Sequence, residues 1–188
     1  MSYFILNKLL YSEISIIGII FTGILLKKSI PKEGYRFISR QQKVFVAMLI
    51  NLIAIFCLDG ITWCLDGLSF YGIKTLYSIC LAVYFMINPL IGFLWNLYVT
   101  TKIYTNIRVM KKYMRICTVP FVINVILCAT SPFTHWIYSI NENGIYSRGM
   151  LYPVNIILSY IYYVTSVLIL IRYMSKDERM RTNRELKY

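Results

Sequence analysis

VFVAMLINLIAIFCLDGITWCLDGL, residues 44–68, is a run of 25 residues in which Asp59 and Asp66 are the only formal charges. The hydrocarbon core of a bilayer takes roughly 20 apolar helical residues per crossing, so this run reads as a membrane helix. Working outward, four more runs of that kind appear, at about Leu9–Leu26, Thr75–Thr100, Ile116–Phe133 and Leu151–Ile171. The pattern predicts an all-α polytopic membrane helix bundle of about five transmembrane helices over residues 1–172, followed by a basic cytoplasmic helical tail over 173–188. Glu13 interrupts the first apolar run, and no small-x-small cleavage pattern precedes Lys27 and Lys28. That run is therefore expected to be a retained helix rather than a signal peptide.

Composition agrees with this. Of 188 residues 58% are hydrophobic and 15% charged, which excludes a soluble enzyme core, and 17 Tyr with 10 Phe exclude a disordered chain. The net charge of +12 would suggest nucleic acid in a soluble protein, but the positives are sorted. Seventeen of the 20 Lys and Arg fall between the first and second runs, between the third and fourth, or after the fifth; Lys8, Lys74 and Arg148 are the other three. Short cytoplasmic connections retain Lys and Arg, so the N-terminus is expected outside and the C-terminus in the cytoplasm of a multi-pass cell-membrane protein. The basic charge then serves topology and attraction to membrane lipids, with no nucleic-acid partner.

An ionisable residue inside a span is costly and usually faces a partner, water or a ligand. Asp59 and Asp66 belong to an internal repeat, Cys57-Leu58-Asp59-Gly60 and Cys64-Leu65-Asp66-Gly67. On a helix Asp59, Trp63 and Asp66 share one face. Such an acid-aromatic-acid stripe could bind a cation or an amine, or hold Arg148 or Lys8. Asp66 also reads as a solvated helix end. In the third run Tyr84, Asn88, Trp95 and Tyr98 lie near one face, and Pro89 frees a backbone carbonyl that needs a partner, with space expected beside Asn88. The candidate ligand-binding residues are therefore Asp59, Trp63, Asp66, Asn88 and Arg148. The stretch Thr134–Met150, with its Asn141-Glu142-Asn143-Gly144 joint, is the outer connection long enough for a structured cap. His135, the only histidine, could titrate near neutral pH but reads more simply as an interfacial residue.

Five cysteines, all within the apolar runs and lacking C-x-x-C spacing, argue for packing rather than disulfides or zinc. No metal-binding pair, nucleophile elbow or phosphate loop is present, so the chain is expected to be no enzyme and to need no cofactor.

Short-looped helices and the stretch Ile137–Tyr152 leading into Tyr160-Ile161-Tyr162-Tyr163 resemble the N-terminal membrane sensor region of Firmicutes GGDEF-type diguanylate cyclases and related histidine kinases, over Arg36–Arg172. The resemblance implies a sensory module that relays an extracytoplasmic or intramembrane signal to a cytoplasmic signalling domain or a partner membrane protein, with a homodimer as an open arrangement. In that family more membrane helices and the output domain follow. The chain ends at Tyr188, so the resemblance implies a truncated, split or stand-alone sensor. Two other readings stay open: the substrate-binding membrane component of a small-molecule importer, and an assembly partner using a Gly60–Gly67 track as its interface.

Overall fold

A computed structural model describes the backbone of residues 2–31, 39–68, 70, 72–104 and 107–185, and within these the side chains of 13–31, 39–68, 70, 72–104, 108 and 110–175. The chain runs α1 (Ser2–Ser29), α2 (Arg40–Leu65), α3 (Ile73–Ile103), α4 (Ile107–Thr134), β1 (Tyr138–Ile140), β2 (Tyr146–Arg148) and α5 (Tyr152–Glu185). Among the described residues four helical segments are long and apolar enough to cross a membrane: Arg40–Leu65, Ile73–Ile103, Met110–Thr134 and Tyr152–Ser175. They match the last four runs of the sequence, as a multi-pass membrane protein requires. The first run lies within α1, and α5 continues unbroken to Glu185, so the last run and the tail as far as Glu185 are one helix, the final three residues lying outside the described residues.

Helix α3 is the centre of the bundle. It packs against α2, α4 and α5, and α1 lies on the far side of α2. Small residues set these approaches: a side chain at Gly18 would collide with the Phe56 ring, Gly60 faces Ser15, and Gly92 brings α3 against the Ser159 carbonyl of α5. The Gly60 surface is thus covered by α1 of the same chain, and Gly67 sits in the turn after α2 with φ 77°. The Gly60–Gly67 track expected as a surface for another protein is not one continuous face.

Pro89, Pro120 and Pro132 lie inside helices. Proline lacks the N–H that would bind the carbonyl four residues earlier. At Pro89 that carbonyl belongs to Phe85, and it accepts from Asn124 Nδ2 of α4 at 3.1 Å and Asn155 Nδ2 of α5 at 3.2 Å. Asn155 also donates to Asn124 Oδ1 at 2.7 Å. Two turns along α3, Asn96 donates to Thr165 Oγ1 at 2.8 Å, Ser166 Oγ at 3.0 Å and the Tyr162 carbonyl at 3.1 Å. These two layers hold α3, α4 and α5 together. Among the described residues every buried side-chain nitrogen or oxygen has a partner, as buried polar atoms need.

The expected cap is an antiparallel hairpin of β1 and β2, in which Tyr138 faces Arg148 and Ile140 faces Tyr146. Its turn is built by the Asn141 carbonyl accepting from Gly144 N, with Gly144 at φ 74°. Ser131 of α4 anchors the base: its hydroxyl accepts from Ile137 N at 3.1 Å and Tyr138 N at 3.2 Å. The tip docks on the turn after α2, where Gly67 N donates to the Gly144 carbonyl at 2.9 Å. A cluster of buried apolar residues, among them Tyr77, Leu81, Phe85, Cys128, Ile137 and Tyr138, is at this end of the bundle.

A Cβ at Gly144 would overlap the Leu68 carbonyl, and its φ disfavours any branched residue. Gly144→Val is therefore expected to undock the tip and cost about 1–3 kcal/mol. Hydrogen exchange at the Gly67 amide reads this directly. Wild-type protection at that amide in the variant would contradict the docking.

At the other end Gln42 Nε2 of α2 donates to the Ser29 carbonyl at 2.7 Å, and Gln41 Nε2 to the Thr101 carbonyl at 3.3 Å. Of the basic side chains described, only Lys74 and Arg148 belong to the hairpin end. The side chains of Lys8, Lys32 and Arg36, and those of the tail from Lys176 onward, lie outside the described residues. All five cysteines are free; Cys117 and Cys128 are buried, Cys80 is half-buried, and Cys57 and Cys64 lie on the helix surface.

Candidate functional site

The hairpin roofs a cavity of about 260 Å³. Its walls are Thr62, Trp63 and Asp66 from the end of α2, Tyr77, Leu81, Tyr84 and Phe85 from α3, Tyr146 and Arg148 from β2, and Tyr152 from the start of α5. The local rules are simple. Residues 77, 81, 84 and 85 recur at helical spacing and share a face of α3, while residues 146 and 148 are two apart on a strand and share its face.

Asp66 is the charged anchor on one wall. Its Oδ1 accepts from the Tyr77 hydroxyl at 3.1 Å and from Tyr146 N at 3.0 Å, so the carboxylate ties α2, α3 and the hairpin. It also ends α2: its own N–H donates to the Thr62 carbonyl at 3.0 Å. Arg148, on the exposed side of the cavity, lies over the Tyr152 ring at 4.9 Å, a cation–π contact that joins the hairpin to α5. Burial, with the neighbouring Tyr152, pushes the Tyr146 phenol up to about 12 against the opposing influence of Arg148. Tyr146 thus stays protonated through the neutral range. Phe85 completes the aromatic lining, stacked against Tyr146 at 6.3 Å and edge-on to Tyr152 at 5.9 Å.

The five residues read from the sequence divide into two groups. Trp63, Asp66 and Arg148 come together in the cavity. Asp59 lies two turns before Asp66 on α2, where Ser15 Oγ of α1 donates to its Oδ2 at 2.8 Å. Asn88 lies outside the cavity, one turn beyond Tyr84 on α3. Space does open beside Asn88, as a recess of about 450 Å³ shared with Ile91, Ser159, Tyr160 and Tyr163, but it is separate from the cavity. Asp59 and Asn88 are thus not part of this cavity's lining.

Tyr77, Tyr146 and Tyr152 were missed by sequence reasoning. The first carried a signal, since Tyr77, Leu81 and Tyr84 continue the aromatic face of α3. Tyr146 carried one only in its alternation with Arg148. Among the described residues no group of three or more His, Cys, Asp or Glu converges where a metal would sit. The arrangement offers charge complementarity, aromatic faces and hydrogen bonds, which is the chemistry of binding.

Compared with known protein families, curated proteins and solved structures, the chain matches none.

Proposed function

We propose that the chain is a multi-pass cell-membrane sensor or receptor-like module without catalytic activity, oriented with its N-terminus and hairpin outside and its basic tail in the cytoplasm. The sorting of Lys and Arg supports the orientation, which makes α1 the fifth crossing. The cavity is the receiving site. One observation carries the reading: Tyr152, which lines the cavity, is the first residue of α5, and α5 runs without a break to Glu185. A ligand held there touches the helix whose far end faces the cytoplasm. It acts by binding two helix arrangements unequally, the only way a ligand shifts such an equilibrium. A cytoplasmic signalling domain or partner membrane protein then reads the position of the tail.

A photo-crosslinking residue in place of Tyr173, with an impermeant-label tag inserted at Ser139, tests both parts in cells. The tag is expected to label without permeabilisation, and the crosslinker to capture a signalling protein whose output changes in Asp66→Asn. Labelling of Ser139 only after permeabilisation would reverse the orientation. Capture of an ATPase pair would replace the sensor by an importer component.

A further inference from the structure

The charges of the cavity select among ligand classes. A lone cation approaching Asp66 meets Arg148, and a lone anion approaching Arg148 meets Asp66; a molecule carrying both charges is opposed by neither. The hairpin itself brings the two charges to one cavity: Asp66 is bonded to the backbone of Tyr146, and Arg148 follows two residues along the same strand face. At about 260 Å³ the cavity is smaller than the roughly 300–1,000 Å³ of sites for drug-sized molecules.

The lining supplies the remaining preferences. Ammonium groups favour aromatic faces, and Trp63, Tyr77 and Tyr84 line the cavity with Asp66, Tyr77 bonded to it directly. The planar guanidinium, held over the Tyr152 ring, is the group that receives a carboxylate through two parallel hydrogen bonds. Leu81 and Phe85 add apolar lining for a side chain.

We propose that the cavity binds a small zwitterion of free amino-acid size with an apolar side chain, its ammonium against Asp66 and the aromatic faces and its carboxylate against Arg148. The proposal rests on the receptor reading of this cavity and names its ligand class.

The full chain in nanodiscs, titrated calorimetrically, tests it with four probes: L-phenylalanine, L-leucine, L-phenylalaninamide and N-acetyl-L-phenylalanine. Both free amino acids are expected to bind, and blocking either end to weaken binding about tenfold or more, the effect of losing one charged interaction. Arg148→Gln should erase the advantage of phenylalanine over its amide, and Asp66→Asn the advantage over the N-acetyl form. The wild-type series stands without the variants should either fail to fold. An amide that binds as tightly as phenylalanine overturns the carboxylate contact, and silence from all four probes at millimolar concentration overturns the ligand class. Neither result touches the receptor reading, which fails separately if Asp66→Asn leaves the output of the crosslinked tail partner unchanged.

Discussion

Gly92→Leu is expected to destabilise the bundle by about 3 kcal/mol, the upper part of the range for overpacking a well-filled interior. Gly92 is buried where α3 crosses α5. Even a Cβ there would stand 2.9 Å from the Ser159 carbonyl and 3.3 Å from Tyr162 Cβ, and the first of these is backbone that cannot swing away. The leucine must therefore push the helices apart. Asn96 lies one turn further along α3, and its bonds to Thr165, Ser166 and the Tyr162 carbonyl span that same interface. Separation would stretch all three, so the cost exceeds the steric term alone. Gly92→Ala should show the same defect at about 1 kcal/mol. Reversible unfolding in detergent measures both variants. A leucine variant within about 0.5 kcal/mol of wild type would mean that the α3–α5 contact is not close-packed. Since α5 joins the cavity to the tail, loosening this contact is also expected to weaken any ligand response while leaving the cavity walls in place.

How much of this was legible in the sequence differs by level. Four of the five spans were, because an apolar run bounded by charge has a length that the bilayer dictates, and a five-residue error at an end changes nothing. The cap was legible as a location: Asn141 to Gly144 is turn chemistry, although strands of three residues leave too short an alternation to predict. The stripe on α2 pointed to Trp63 and Asp66, and Arg148 followed as one of few basic residues away from the sorted charge. What periodicity does not carry is the rotation of one helix against its neighbours. Asn88 shares an approximate face with Tyr84, yet α3 is turned so that Tyr84 meets the cavity and Asn88 opens towards Ser159 and Tyr163. Asp59 shares a face with Asp66, and α1 supplies Ser15 to bind it before it reaches the cavity. Tyr146 and Tyr152 are some 80 residues from Asp66 in the chain. Only the docking of the hairpin unites them.

Asn124→Leu is expected to cost about 2 kcal/mol, and Pro89→Ala to recover much of that loss. The argument starts from the proline. Because residue 89 has no N–H, the Phe85 carbonyl is left without its helical donor, and an unpaired backbone group in the apolar interior costs about 1–3 kcal/mol. Two amides fill the gap, Asn124 at 3.1 Å and Asn155 at 3.2 Å, and they also bind each other at 2.7 Å. Removing Asn124 takes one donor from the carbonyl and one acceptor from Asn155, and the Cys128 thiol, 3.8 Å from Asn124 Oδ1, loses its acceptor as well. Polar contacts between membrane helices average only about 0.6 kcal/mol, so the expected loss comes mainly from the groups left unpaired. Alanine at position 89 restores the N–H and returns the Phe85 carbonyl to its own helix. In that background the asparagine is no longer needed for it. The double-mutant cycle should therefore show about 1 kcal/mol of favourable coupling between positions 89 and 124, which lie on separate helices and are joined through one oxygen. Additive effects would show that Asn124 is present for another reason, and that the carbonyl freed by Pro89 is not what holds α3, α4 and α5 in register.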